Sequence, residues 1–294
     1  MHIILLIITI FSLSVQNVTK KAYNHKTGGS KFIFPAVSCL VALLFFVVSS
    51  GFKFDFKAEI IPYALLFGIS YGTATIFSFL SIQVGSLSLT SLITSYSLVI
   101  PTFYSIIFRG DDASLTLYLG IVALLISLLL MNLKIKSKDE KEVRAEGETV
   151  KISLKWIIFV TLAFVGNGIC STVANVQQLD FPGLYKNEFM IIALVIVVTT
   201  LFILSYFTEK DRIVTCVRKG HGLMIICGIA NALANLFVLM LSGKINGSIM
   251  FPLISAGGII LTSLVSIFIY REKLSKLQYG ALVLGIAAVV LLNL

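Results

Sequence analysis

Charge is scarce in this chain of 294 residues: Asp, Glu, Lys and Arg make up 13% of it, about half their usual share in a soluble domain. The deficit is concentrated. Ten long apolar runs, 3–19, 32–51, 60–82, 86–108, 115–133, 156–177, 189–207, 222–242, 248–270 and 277–294, hold none of the 37 charged residues. Charge at mid-membrane costs roughly 2.5–3.5 kcal/mol per residue on insertion scales, so this partition is the mark of segments that cross a bilayer. Histidine and cysteine are sparse too. The three His are far apart and the four Cys form no CxxC, which excludes a metal site and a disulfide framework and leaves packed free thiols. No nucleophile beside a base, no paired acids and no Gly-rich phosphate loop occur in or near the runs, so an enzyme has little to stand on and no cofactor is implied. The net charge of +9 is divided among short loops rather than gathered in a basic domain, which argues against a nucleic-acid partner.

What remains is apolar: 57% of the residues are hydrophobic and the mean hydropathy is +1.00. At 1.5 Å per residue each run is about long enough to span the hydrocarbon layer as a helix, and lipid requires every backbone group to be satisfied within the segment. The first run ends without a small-residue cleavage site and is read as the first spanning helix rather than as a leader. The expected fold is therefore all-α: an integral membrane protein of ten transmembrane helices. Residues 134–155, KIKSKDEKEVRAEGETVKISLK, are dense in both signs of charge and poor in large apolar residues. They form the expected linker between a first five-helix unit, 1–133, and a second, 156–294. An odd number of helices per unit makes the second enter the membrane from the opposite side, so the repeats are expected to be inverted.

A register supports that duplication. Displacement by 160 residues lays Gly68, Ser88, Ser95, Thr102, Phe108 and Gly120 on Gly228, Ser248, Ser255, Thr262, Phe268 and Gly280, and Asp112 on Glu272. The closing hairpin joins a helix rich in small residues, the turn Tyr270-Arg271-Glu272-Lys273-Leu274, and Gln278-Tyr279-Gly280 opening a Gly/Ala/Leu/Val helix. It resembles the last hairpin of the drug/metabolite transporter superfamily, EamA-like branch. The detailed likeness covers 86–132 and 246–292; Asp111-Asp112 stand where the family commonly has Glu, so the first half departs further. The resemblance implies a transporter of amino acids, metabolites or drugs. Small multidrug-resistance proteins of similar hairpin use a carboxylate in the first helix; here that helix offers Thr9, Ser12, Ser14, Gln16 and Asn17, so exchange or facilitated diffusion is expected over proton antiport.

Orientation follows from Lys and Arg. The loops after the odd-numbered runs hold 18 of them and the others 5, which puts the first set in the cytoplasm and both termini outside; the resemblance implies the termini inside. Candidate substrate contacts are uncharged. Asn167, Ser171, Asn175 and Gln178 share one face of the sixth helix, answered by Thr9, Ser12, Gln16 and Thr19 in the first. Tyr71 and Thr75 fall in the 160-residue register on Asn231 and Asn235. Ser95, Tyr96 and Ser255 lie on the serine-rich stripes of the fourth and ninth helices. These positions, Gln16, Tyr71, Thr75, Ser95, Tyr96, Asn167, Asn175, Asn231, Asn235 and Ser255, either line a central cavity among helices one, three, four, six, eight and nine or tie helices together. Arg109 and Lys244 read as interfacial anchors. The expected partners are a small-molecule solute and membrane lipid, for a monomer or homodimer in the plasma membrane. A membrane scaffold or sensor is the rival reading, weakened by the lack of any sizeable soluble domain.

Overall fold

The computed structural model describes residues 2–27, 30, 32–84, 90, 93–94, 96–111, 114, 115–132, 153–268 and 276–291. Ten α-helices make up most of them: α1 (His2–Thr27), α2 (Ile33–Ser49), α3 (Ile61–Val84), α4 (Val99–Arg109), α5 (Leu115–Asn132), α6 (Leu154–Asp180), α7 (Lys186–Glu209), α8 (Ile213–Leu241), α9 (Gly247–Phe268) and α10 (Lys276–Leu291). There is no β-strand among the described residues. Stretches long and apolar enough to cross a membrane are His2–Lys20, Ala58–Ser81, Leu154–Asp180 and Lys186–Leu241, the last running over two helices; Ile33–Ser49, Leu115–Ser127, Gly247–Gly258 and Tyr279–Ala288 are shorter apolar helices.

Two helices outrun their apolar cores. The structure carries α1 on to Thr27 through Lys20, Lys21 and Lys26, and starts α8 at Ile213, ahead of Arg218, Lys219 and His221. Hydropathy registers only the part of a helix that meets lipid, whereas the backbone ladder continues for as long as amides find carbonyls. The fourth run is less regular: a 3₁₀ turn at Tyr96–Leu98 leads into α4. Pro101 sits in the first turn of α4, where its missing N–H costs nothing.

The helices are inside-out relative to a soluble protein. On α1, Thr9, Ser12, Gln16 and Thr19 are buried while Ile3, Ile4, Ile7 and Phe11 are exposed. On α5 and α10 the exposed residues include Leu119, Val122, Ile126, Val283 and Ile286. An apolar exterior around a polar seam fits lipid as the surrounding solvent.

Helices pair in both senses: α3 with α6, α2 with α7 and α5 with α10 run antiparallel, whereas α6 runs parallel to the Tyr96–Arg109 segment, Asn167 bonding Ser97 and Asn175 bonding Ser105 at one offset. Tyr63 at the start of α3 bonds Asp180 at the end of α6, and Phe77 further along α3 meets Phe159 early in α6. Glu209 at the end of α7 bonds the start of α2, and Ser127 late in α5 donates to the Ala281 carbonyl early in α10. The main packing pairs are α3 with α6 and α1 with α8; α2 with α8 and α3 with α7; α1 with α9 and α4 with α6. Also paired are α2 with α7, α4 with α9 and α5 with α10. Exchanging each helix with the one five places on returns these nine pairs, whereas the contacts of α9 with α10 and α5 and of α8 with α6 and α7 have no counterpart of like size among the described residues. The largest core cluster joins α2, α3, α6, α7 and α8 around Phe46, Phe67, Phe189, Leu194 and Leu201.

Candidate functional site

An exchange of that kind would have its axis at a contact between register mates, and one such contact is present. Tyr71 OH donates to Asn231 Oδ1 at 3.5 Å, across a sequence separation of 160. Tyr71 is ten residues into α3 and Asn231 ten residues from the end of α8, which puts both about 15 Å along their helices from the face where α1 begins. Their neighbours match as well. Thr75 Oγ1 donates to the Tyr71 carbonyl at 2.8 Å, and Asn235 Nδ2 donates to the Asn231 carbonyl and Oδ1, both at 2.9 Å. Gln16 Nε2 reaches the Ala230 carbonyl at 3.4 Å from α1.

This arrangement separates a helix tie from a ligand contact. The Tyr71–Asn231 bond is long, so Tyr71→Phe is expected to cost about 0.5 kcal/mol, the low end for a neutral pair. The detergent melting temperature should barely move, while solute uptake should fall several-fold if the hydroxyl serves a ligand.

A cavity of about 20 Å³, room for about one water molecule, lies between the Tyr96–Thr102 segment, α5 and α9. Its walls are largely Leu, Ile and Val, and its polar groups are Tyr96, Thr102 and Ser255. Tyr96 OH donates to the Leu125 carbonyl at 3.0 Å and Thr102 Oγ1 to the Leu98 carbonyl at 2.8 Å. Pro252, also in the wall, has no N–H, so the Ser248 carbonyl lacks its usual partner one turn on.

The ten expected contacts thus divide among separate places. Tyr71, Thr75, Asn231 and Asn235 form the axial cluster, with Gln16 packed against its α8 side; Tyr96 and Ser255 share the cavity with α5, which was not expected to line it. Asn167 donates to Ser97 Oγ, tying α6 to the turn before α4. Asn175 is only five residues from the end of α6 and is buried beside Ser105, to which its Nδ2 donates at 3.5 Å; among the described residues no group donates to its Oδ1. Ser95 lies outside the described residues.

The face where α1 begins carries polar chemistry that composition alone did not single out. Gly110 adopts a left-handed backbone, φ 69°, and ends α4 in a turn that sends the Asp111 amide back to the Ser105 carbonyl. Asp111 Oδ2 then accepts from the Ser248 amide at 3.0 Å, at the start of α9. Arg109 is not a lone anchor: its Nη2 donates to Asp180 Oδ1 at 3.0 Å, and Tyr63 OH donates to Asp180 Oδ2 at 2.8 Å. The bond to Asp180 raises the Arg109 pKa above its ordinary value, so the guanidinium stays charged. Lys244 is exposed. At the opposite face Glu209 is buried and accepts from the Phe32 and Ile33 amides.

The profile of the family described as Sugar transport protein matches residues 3–293. The chain belongs to that family. As a sugar transport family member it is of drug/metabolite transporter type, a multi-pass integral membrane protein that carries small solutes. Among solved structures 28 chains match. One, a crystal structure 11% identical in sequence, superposes with a TM-score of 0.77 over 99% of this chain and 96% of its own; likeness at that identity concerns the fold. None of the curated proteins is similar enough to this sugar transport family member to count as a match.

Proposed function

We propose that the protein is a plasma-membrane secondary transporter that moves a monosaccharide or similar neutral polyhydroxylated solute by alternating access. Its two inverted five-helix repeats, 1–133 and 156–294, would be joined by the charged linker 134–155. The observation that carries this reading is the set of nine helix pairs that survives exchange of each helix with the fifth one on, with the register mates Tyr71 and Asn231 in contact. Inverted repeats that meet at mid-membrane provide two related openings around one central region. The family description favours sugar over the amino acids and drugs also handled by the superfamily, and the hydroxyl- and amide-bearing groups at the axis suit a solute of neutral hydroxyls. The hairpin signature in 246–292 aligns the chain with the EamA-like branch of that superfamily.

Coupling follows from the charges. Among the described residues the polar groups at the axis are amides and hydroxyls, and the buried carboxylate Glu209 lies at the end of α7. Purified protein in liposomes is expected to take up labelled D-glucose or another monosaccharide saturably, without acidifying or alkalising a lumenal pH-sensitive dye. Saturable uptake of a cationic drug or an amino acid, with none of any monosaccharide, would overturn the substrate class; a fixed ratio of protons to solute would overturn the uncoupled mechanism.

A further inference from the structure

We infer that the Arg109–Asp180 ion pair, braced by Tyr63, is a latch that closes the cavity toward the face where α1 begins and must open for that face to be reached. The inference rests on the transporter reading above. Arg109 is the last residue of α4 and Asp180 the last of α6, so the pair joins a residue before the linker to one after it. Both carboxylate oxygens are engaged, Oδ1 by Arg109 at 3.0 Å and Oδ2 by Tyr63 at 2.8 Å. Thr102, in the cavity wall, precedes Arg109 by seven residues on the same helix, so the latch stands about 10 Å beyond the cavity toward that face.

The contacts of α6 differ in kind: it meets α4 through side chains, with Ile100 against Gly168 and Asn175 bonding Ser105. A Cβ on Gly166 would stand 2.9 Å from the Ser70 carbonyl oxygen and 3.0 Å from the Ala74 nitrogen, so α6 and α3 are in backbone contact at mid-depth. The Tyr63–Asp180 bond therefore lies within a closely packed pair. Arg109 comes from α4, which also forms a cavity wall. Its side chain is 31% exposed and that of Asp180 34%, and an ion pair so wetted holds weakly. Weak but directional bonding suits a contact made and broken in each cycle. The Asp111–Ser248 bond, from the residues after α4 to the start of α9, reinforces closure at the same face.

Accessibility reads the latch without reference to any solute. In the full-length chain with Cys39, Cys170, Cys216 and Cys227 replaced by Ala, Ser255→Cys provides a thiol in the cavity wall. A membrane-impermeant maleimide is applied from each side in turn. Arg109→Ala and Asp180→Ala should each speed labelling from the face where α1 begins at least fivefold. The exchange Arg109→Asp with Asp180→Arg should restore the slow rate. Tyr63→Phe removes one hydrogen bond and keeps the ring, so it supplies a folded variant with a smaller increase in the same direction. Unchanged rates in Tyr63→Phe and in whichever alanine variants fold, or failure of the exchange to slow labelling, would overturn the latch. Absence of monosaccharide uptake by the wild type would overturn the substrate reading and leave this labelling result standing.

Discussion

Gly228→Val is expected to destabilise the protein by on the order of 2–3 kcal/mol, while Gly222→Ala, six residues earlier on α8, leaves it as stable or up to about 1 kcal/mol more stable. The contrast comes from what each new side chain meets. A Cβ at 228 would lie 2.5 Å from the Ser38 carbonyl oxygen and 2.6 Å from Val41 Cβ on α2, whereas nothing is within 4 Å of one at 222. The Ser38 oxygen is backbone and cannot rotate away, so α2 and α8 must move apart. That loosens a face shared with the buried Cys39, Cys227 and Ala42. Gly68 repeats the situation on α3, with 2.9 Å to the Ala193 carbonyl oxygen of α7, and Gly72 one turn on has nothing within 4 Å. Gly68→Val should therefore be harmful and Gly72→Ala mild. Thermal unfolding in detergent of all four variants checks the claim; equal melting temperatures for Gly228→Val and Gly222→Ala would sink it.

These glycines show how much the chain discloses before any coordinate is known. Gly68 and Gly228 stand 160 residues apart and can be matched by register; each approaches backbone of a different partner helix, α7 for one and α2 for the other. The apolar runs likewise locate the helices, because exclusion of charge from lipid is enforced residue by residue. Pairings between distant side chains are not written in composition. Arg109 and Asp180 are 71 residues apart, and a charge at the end of an apolar run looks solvated whether or not a partner waits there. Asn175 lies on the same helical face as Asn167 but only two residues from the end of its apolar run 156–177, so the shared face groups residues that stand at different depths. The structure places it beside Ser105, close to one face. The cavity between α4, α5 and α9 was obscured for a related reason: the part of α5 that lines it, Ile121, Leu124 and Leu125, is apolar and carries no polar signal to read.

Glu209 was hidden by its setting in Thr208-Glu209-Lys210-Asp211-Arg212, which reads as a loop because the apolar run stops at Phe207. In the structure α7 continues to Glu209, whose side chain folds against the start of α2. Its Oε2 accepts from the Phe32 amide at 3.0 Å and the Ile33 amide at 3.1 Å. The amides that open a helix have no partner within it, and the helix dipole there favours negative charge. Glu209→Ala should thus leave two inward-facing donors without that acceptor, at roughly 1–3 kcal/mol each, for a loss on the order of 3 kcal/mol. Hydrogen exchange should quicken first at the amides of Phe32 and Ile33. Glu209→Gln keeps an acceptor oxygen of similar reach and gives up the charge, at about 1 kcal/mol, whereas Glu59→Ala at an exposed position should change stability by less than about 0.5 kcal/mol. The same series separates a cap from a proton carrier. A cap predicts that Glu209→Gln retains uptake and loses some thermal stability; a carrier predicts lost uptake at an unchanged melting temperature, and that second pattern would return Glu209 to the transport mechanism.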